Sequence, residues 1–142
     1  MSEQKRTWRI ITTDWQCDRA ALKAIRSEVF IREQQVPESM EWDEHDKTAI
    51  HFLAIERGSE APIGTARLLP DGQIGRMAVL APWRRKGIGT ALLEAALKTC
   101  SHPPFLHAQV HALPFYAALG FIPVGEIFSE AGIPHQKMIH LV

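Results

Sequence analysis

The feature that most constrains this chain is a glycine-containing loop, within residues 74–97, that joins a predicted strand directly to a predicted helix. Its centre reads Arg84-Arg85-Lys86-Gly87-Ile88-Gly89-Thr90. The first N–H groups of a helix have no intrahelical partner, and the helix dipole places partial positive charge at the same end. Glycine lacks the Cβ that would hold an anion away, and three cations stand beside it. The pattern therefore predicts a cradle for a pyrophosphate or similar anion.

Two other phosphate-binding patterns do not fit this loop. A nucleotide-hydrolase loop needs Gly-Lys followed by Ser or Thr, and the dinucleotide fingerprint needs a third glycine at fixed spacing. A basic surface loop that uses glycine only for turning is the structural alternative. The strand-loop-helix context and the three adjacent cations favour the anion site over that alternative.

The remaining segments alternate between strand and helix patterns and predict an α/β fold with a mixed sheet. Asp18 is a candidate N-cap for a first helix with an apolar stripe of Leu22, Ile25 and Val29. The acidic stretch 38–47 reads as a loop or a short irregular helix, and residues 131–134 read as a turn. Predicted helices cover 18–34, 88–99 and 114–119, the last closed by Gly120; predicted strands cover 8–12, 51–56, 63–69, 73–80, 105–110, 121–128 and 137–142.

Composition limits the classes of function. The 142 residues carry 16 Lys and Arg against 16 Asp and Glu, which argues against a general nucleic-acid binder because such proteins usually have a basic surplus. The chain is short enough for one domain, 1–142. It has no apolar run of the roughly 20 residues that cross a bilayer, and Met1–Arg6 is polar. We expect a cytoplasmic protein without nucleic-acid or membrane partners.

Three motifs in order resemble the GCN5-related N-acetyltransferase (GNAT) family, in a bacterial subgroup of mostly undefined substrate. Arg84-x-x-Gly87-x-Gly89 resembles the coenzyme A (CoA) pyrophosphate signature of that family. The run 74–79 resembles its fourth strand, and 115–121 resembles its later aromatic-Tyr and Gly-Phe motif. The tail 130–138 and the run 29–34 resemble the bacterial subgroup. The resemblance covers the chain from about residue 24 to its end and implies a mixed, mostly antiparallel central sheet flanked by helices.

The resemblance also implies a set of contacts to acetyl-CoA, the co-substrate, without a metal. Met77, Ala78 and Val79 would meet the thioester and its pantetheine arm, because the strand that carries them splays from the next one in this family. Gln109 stands where many members have an Asn that contacts the cofactor. The full implied set is Met77, Ala78, Val79, Arg84, Arg85, Lys86, Gly87, Ile88, Gly89, Thr90, Gln109, Phe115 and Tyr116.

Direct transfer of an acyl group from a thioester to an amine needs an acid for the leaving thiolate and a base for the amine. Tyr116 is the only tyrosine and stands at the family position of the acid; a half-buried core aromatic is its structural alternative. An alkyl ammonium, with a pKa of about 10, needs help to lose its proton. The residues leave the base open among six candidates, of which Glu130 and His135, beside a Gly-Ile-Pro turn, rank first; the others are Glu33, Glu41, Asp43 and His51.

The acceptor is expected to be a small-molecule or peptide amine. The acidic segment 38–46 would attract a cationic acceptor, although a solvated loop explains it equally well. The apolar end 138–142 is a candidate strand for pairing in a homodimer. Three other functions remain open: a CoA-binding sensor without catalysis, transfer of a longer acyl group such as succinyl, and an interaction module that uses the Arg84–Lys86 cations.

Overall fold

The computed structural model describes residues 7–140, so the polar start 1–6 and the last two residues of the final predicted strand lie outside it. Within this range seven strands form one sheet in the order β1-β2-β3-β4-β5-β7-β6. Neighbouring strands are antiparallel except β4 and β5, which are parallel, so the predicted mixed, mostly antiparallel sheet is confirmed. The strands are β1 (Trp8–Thr13), β2 (Ile50–Glu56), β3 (Pro62–Leu68), β4 (Gln73–Val79), β5 (Phe105–Gln109), β6 (Phe121–Glu130) and β7 (Ile133–His140).

Helices cover both faces of the sheet. Helix α3 (Ile88–Thr99) packs on one face, where its Leu92 and Leu93 are completely buried, as the apolar stripe predicts. Helix α1 (Trp15–Arg26) packs on the other face through Leu22 and Ile25. Side chains alternate across a strand, so each strand contributes to both layers. No helix among residues 7–140 is long and apolar enough to span a membrane.

The first helix differs from the prediction at both ends. Asp14, not Asp18, is its N-cap, and the Asp14 carboxylate accepts a hydrogen bond from the Cys17 N–H at 2.8 Å. Asp18 lies inside the first turn and accepts a hydrogen bond from the Thr13 hydroxyl at 2.5 Å. Both aspartates satisfy the N-cap pattern, and burial of the Trp15 side chain adds the earlier turn to the helix.

After Arg26 the chain widens into a π-helical segment, Ser27–Glu33, instead of continuing as one α-helix to residue 34. The Gln34 N–H donates to the Val29 carbonyl at 3.0 Å, which is the i to i−5 spacing of a π turn. This wider turn keeps Val29 and Phe30 buried and directs the end of the segment toward β4 and β5. Short helices follow at α2 (Glu38–Glu41), at the 3₁₀ turn Glu44–Lys47 and, after β5, at α4 (Leu113–Ala117).

The C-terminal hairpin corrects two expectations. The turn predicted over residues 131–134 contains only Ala131 and Gly132. Strand β7 begins at Ile133 and includes Pro134. The neighbouring β5 ends at Gln109, opposite His135, so the missing Pro134 N–H breaks no ladder bond on that side. Strand β7 also lies between β5 and β6, so the segment predicted for pairing in a dimer has both of its edges occupied up to His140. The free edge at this end of the sheet belongs to β6.

Candidate functional site

The sheet opens between β4 and β5. The two strands pair only at Gln73 with Phe105 and at Ile74 with Leu106, and they separate beyond these pairs. On the other side of β4 the register shifts, so that residues 76 and 77 together lie opposite Ala66. Arg76 has a φ of 49°, and this β-bulge bends β4 away from β5. The predicted splay of this strand is therefore confirmed.

The opened edge of β4 presents backbone groups toward the gap. The Leu80 N–H donates to the Ile63 carbonyl of β3 at 2.9 Å. Residues alternate in direction along an antiparallel pair, so Val79 faces away from β3 and into the gap. The Val79 carbonyl accepts a hydrogen bond there from Arg84 Nε at 2.8 Å. A ligand lying in the gap would meet the backbone N–H groups of this edge as donors.

The glycine loop has the backbone geometry that an anion cradle needs, and binding of an anion there stays a prediction. Gly87 caps α3 with a φ of 84°, a conformation that costs a residue with a side chain, and its missing Cβ faces open space. The Ala91 N–H donates to the Gly87 carbonyl at 3.0 Å and starts the helical ladder. In the described chain, no acceptor is found for the backbone N–H groups of residues 86–90. These free donors, at a helix N-terminus, fit a diphosphate.

The three loop cations differ in their availability. The Arg84 guanidinium forms two hydrogen bonds to the Glu33 carboxylate, at 2.9 and 2.6 Å, and the same interaction lowers the pKa of Glu33. Arg85 and Lys86 are exposed and have no ion-pair partner among residues 7–140. The charge of Arg84 is therefore balanced by the π-helical segment, and two of the three expected cations stay available for an anion.

A cleft of about 720 Å³ lies beside the opened strands, between the π-helical segment and the β6–β7 turn. Predicted site residues line its walls: Met77, Gln109, Tyr116, Glu130 and His135. The loop residues 84–90, Ala78, Val79 and Phe115 lie outside these walls. The cleft and the anion cradle thus lie at two ends of the opened β4 edge, with Met77 and Tyr116 between them.

Tyr116 is held at this junction by aromatic packing. Its ring contacts Phe115 and Phe121 edge-to-face, with centroids 5.0 and 6.0 Å apart. Its hydroxyl donates to Met77 Sδ at 3.7 Å, which places the phenol next to the bulge in β4. Burial raises the pKa of Tyr116 to about 12, so the phenol keeps its proton at neutral pH.

Two further predicted contacts lie near the gap. Gln109, at the end of β5, donates from its amide to the Gln34 side-chain oxygen at 2.8 Å and so joins β5 to the end of the π-helical segment. The exposed Phe115 ring lies over Gly89, where an added Cβ would be 3.4 Å from the ring. Gly89 therefore lets the ring approach the first turn of α3.

Three of the five carboxylates in the acidic segment, those of Glu41, Asp43 and Asp46, belong to a structural network, so neither expectation, a patch for a cationic acceptor or a solvated loop, describes them. Glu38 and Glu44 are exposed. The Arg26 guanidinium is completely buried and binds the Glu41 and Asp46 carboxylates, each at 2.7 Å. Arg67 and Arg76 bind Asp43 at 2.8 and 3.3 Å. Burial by itself would raise the pKa of Asp46, but the bonds and charges of Arg26 and Arg67 outweigh it and lower that pKa. Three carboxylates are thus balanced by three guanidinium groups.

His51 belongs to the same structural region. Its Nε2 lies 2.9 Å from the Asp46 carbonyl oxygen, and the ring packs against Trp15 at 5.6 Å. The imidazole is completely buried, and burial lowers its pKa, which keeps it neutral. This is the structural histidine that an apolar strand pattern favours, so His51 does not reach an acceptor in the cleft.

The two first-ranked base candidates do reach the cleft, and a third residue accompanies them. Glu130 lies with one carboxylate oxygen 3.2 Å from Nδ1 of His107 on β5. His135 is buried, with Nδ1 2.7 Å from the Ile133 carbonyl oxygen and its ring stacked on Phe128. His107 was not among the residues predicted from the sequence. Its alternation with buried Leu106 and Ala108 was the available signal that it faces away from the core.

No group of three or more His, Cys, Asp or Glu side chains in the described part of the chain is arranged to hold a metal ion. The candidate site combines the free backbone N–H groups at the start of α3, the opened edge of β4, the phenol of Tyr116 and a cleft with carboxylate and imidazole groups. The protein class that this fold and site define is an acyltransferase that uses a CoA thioester.

The chain belongs to the GNAT acetyltransferase family, because the model of the acetyltransferase (GNAT) domain matches residues 13–142. Protein ElaA of Escherichia coli is 34% identical over 130 residues, which are 83% of this chain and 84% of ElaA. The Bacillus subtilis N-acetyltransferase YjcF is 34% identical over 123 residues, covering 81% of this chain and 86% of YjcF. Membership makes the protein an acyltransferase whose family takes acyl groups from CoA.

Solved structures agree with this assignment. An acyl-CoA N-acyltransferase from Pseudomonas aeruginosa superimposes with a TM-score of 0.83 and 29% identity, covering 94% of this chain and 99% of that one. The crystal structure of E. coli ElaA gives a TM-score of 0.82 and 30% identity, with the same coverage of both chains. The likeness thus extends over nearly the whole chain.

Proposed function

We propose that the protein transfers an acetyl group from acetyl-CoA to a primary amine by direct attack, with both substrates bound together. The observation that carries the proposal is the convergence of three features at one point: the opened edge of β4, the anion cradle at Gly87 and the phenol of Tyr116. The cradle fixes the distant end of the donor. The thioester then lies between the cradle and the cleft, beside Met77.

The donor is held mainly by backbone groups. The free N–H groups of residues 86–90, with Arg85 and Lys86, bind the diphosphate, and the remaining cofactor contacts are those already named along β4, at Gln109 and at Phe115. Arg84 orients the loop through Glu33 and Val79. A backbone N–H on β4 next to the thioester stabilises the negative charge that develops on its carbonyl oxygen.

The acid and the base stand on opposite sides of the thioester. Tyr116 donates a proton to the departing thiolate, which its protonated state permits. The amine approaches from the cleft, whose far wall carries Glu130 and His135. Of the six candidates from the sequence, Glu130 and His135 are left to act in proton removal, directly or by holding another group of the cleft, since Glu33, Glu41 and Asp43 are bound to arginines and His51 is held in the structural network.

The acceptor is a small-molecule or peptide amine that fits the cleft. A soluble, cytoplasmic enzyme without nucleic-acid or membrane partners suits the zero net charge of the chain. A homodimer that forms by strand pairing would use an edge of the sheet other than β7, and the described sheet has two edge strands, β6 and β1.

A thiol-release assay tests the proposal. Wild-type protein is mixed with acetyl-CoA and a broad amine library, and products are checked by mass spectrometry for a gained acetyl group. Succinyl-CoA in parallel tests the choice of acyl group. Tight CoA binding without thiol release for any amine would indicate a sensor and overturn the enzymatic proposal.

Calorimetry with CoA tests the cradle separately. Reversing two loop charges in Arg85→Glu with Lys86→Glu should weaken binding about tenfold or more, because charge-assisted hydrogen bonds are worth about 1.5–3 kcal/mol each. The matched control reverses two exposed cations elsewhere, Arg57→Glu with Lys98→Glu, and should leave affinity unchanged. Equal affinities for both double variants would contradict the assigned diphosphate site.

A further inference from the structure

We propose that His107 is the group that takes the proton from the acceptor amine, and that Glu130 is the positioning residue that holds it. The proposal rests on the proposed function, because it needs an amine acceptor in the cleft. It starts from the contact between His107 Nδ1 and the Glu130 carboxylate at 3.2 Å, which joins β5 to the end of β6.

The sheet places His107 on the face that lines the cleft. Leu106 and Ala108 point into the core under α3, so His107 and Gln109 point the other way, toward the acceptor. Leu106 belongs to the last pair that joins β5 to β4. His107 is therefore the first β5 residue after the strands separate, at the point where the cleft opens beside the thioester edge.

Packing restricts the orientation of the imidazole. The ring meets Phe128 edge-to-face at 5.2 Å and Phe105 at 6.2 Å. With Nδ1 directed at Glu130, the carboxylate accepts the Nδ1–H, and Nε2 keeps its lone pair. In the described chain Nε2 has no hydrogen-bond partner, so this nitrogen is the one available to an amine.

Charge compensation distinguishes His107 from His135. When His107 takes a proton, the imidazolium lies against the Glu130 carboxylate, which stabilises it. His135 has a backbone carbonyl at Nδ1 and an aromatic ring on its face. The His107 and Glu130 side chains are also 30% and 44% exposed, so the proton can leave to solvent after each turnover, whereas His135 is buried.

The proton and electron balance is complete without a further reactant. The ammonium gives one proton to His107 Nε2, and the freed nitrogen lone pair forms the bond to the thioester carbon. The C–S bond breaks, the thiolate keeps its electron pair, and Tyr116 protonates it. The nitrogen, which is positively charged after the attack, loses its second proton as the amide forms, and that proton restores the Tyr116 phenol. His107 returns the first proton to solvent. The products are an amide and free CoA.

Other charged groups on the elements around β5 lie near the His107 imidazole and are part of its electrostatic surroundings. Lys137 of β7 lies opposite His107 in register, although its ammonium is over the Phe105 ring, 4.8 Å from its centroid. Arg76 of β4 is paired with Glu41 and Asp43. The titratable groups of the described chain that share this face or line the cleft beside it are Glu130, His135, Lys137, Tyr116, Arg76, Arg67, Glu41, Asp43, Asp71, His45 and His111. Of these, Glu130 contacts the imidazole directly.

The kinetic test uses acetyl-CoA with the most active amine from the library. His107→Gln should lower kcat about 10²-fold, the low end of general-base catalysis, with unchanged CoA affinity. Wild-type kcat should exceed that of the variant most at the pH values where the free amine is scarce. The variant should instead show a rate that rises steadily with pH as the amine deprotonates itself, and free imidazole should restore part of the activity of His107→Ala. Glu130→Gln should cost about tenfold, and the exposed His102→Ala is the control.

A measurement without turnover keeps the two proposals separate. Long-range ¹⁵N–¹H NMR of the imidazoles should show His107 as the Nδ1–H tautomer above neutral pH, and Glu130→Gln should shift its signals. An Nε2–H tautomer, or an unchanged pH profile in His107→Gln, would overturn the assignment while leaving the acetyltransferase proposal intact. A wild-type protein that releases no thiol with any amine would instead overturn the proposed function and the base role together, even with the expected tautomer.

Discussion

Two charged clusters border the cleft, and they differ in burial more than in composition. The Arg26 cluster, with Glu41 and Asp46, has side chains only 1% to 4% exposed, and each carboxylate is bound to a guanidinium. The pair of His107 and Glu130 is about one-third exposed and has one unpaired nitrogen. A closed, buried cluster keeps its charges and its geometry, whereas an open pair can exchange a proton. The comparison indicates that burial separates the structural charges of this protein from the pair for which we propose a chemical role.

The largest expected effect tests the buried side of the comparison. Arg26→Met leaves two buried carboxylates without their partner and should reduce the free energy of unfolding by about 3–5 kcal/mol. Chemical denaturation followed by circular dichroism measures this loss. The control, Arg32→Met, removes a side chain that is 76% exposed and should change stability by at most about 1 kcal/mol.

If Arg26→Met does not fold, Arg26→Lys keeps the charge but loses the forked geometry, and it should show an intermediate loss. Stability equal to that of the wild type in either variant would show that the cluster is not a structural network.

The next largest expected effect is on catalysis in the open cleft. Tyr116→Phe removes the proton for the thiolate and should lower kcat about 10²-fold, with CoA affinity within about twofold of the wild type. Steady-state thiol release gives kcat, and calorimetry gives the affinity. An unchanged kcat would reduce Tyr116 to a packing residue between Phe115 and Phe121.

A smaller effect distinguishes backbone strain from CoA binding in the glycine loop. Gly87→Ala and Gly58→Ala both place a side chain at positive φ, 84° and 99°, in open space, and each should cost about 1–2 kcal/mol of stability. CoA affinity should fall only in Gly87→Ala, because only that glycine caps the anion cradle. Equal affinities in the two variants, measured by calorimetry, would remove the cradle from the site.

The smallest effect sharpens the comparison through pH. Burial lowers the pKa of His51 below its ordinary 6.5, so near that pH the folded state binds fewer protons than the unfolded state. The stabilisation from neutral His51 is complete above pH 6.5 and is lost as the pH falls below it. Urea denaturation at pH 7.5 and 5.5 gives the free energy of unfolding at each pH. The difference between the two values should be smaller in His51→Gln than in the wild type. The exposed His45→Gln should retain the wild-type change, and an equal change in all three proteins would contradict the assignment.

Local patterns predicted the elements that depend on neighbouring residues. The stripe of α3 and the glycine loop before it are confirmed because helix periodicity and backbone conformation act over a few residues. The first N-cap was predicted one turn late, since Asp14 and Asp18 both fit the local pattern and burial of Trp15 decided between them. Local patterns also could not predict the order of the last three strands. Strand β7 lies between β5 and β6, and this pairing depends on contacts between distant segments.

The candidate site divides in the same way. The cradle, Tyr116, Glu130 and His135 were named from motifs and resemblance, and the structure shows where each one lies. The bulge at Arg76 and the pairing of His107 with Glu130 were missed, since the first is a strained backbone position and the second joins residues 23 apart in the chain. Neither leaves a repeating pattern in the sequence.

The amino-acid sequence alone determined the alternation of strands and helices, the glycine loop before α3 and the family to which the chain belongs, because all three are expressed in the types and spacing of nearby residues. Only the tertiary structure decided which carboxylates are locked to arginines and which one faces an imidazole in an open cleft. The physical reason is that burial and charge pairing depend on which distant segments meet, and for Arg26 and for His107 those partners come from other elements of the fold.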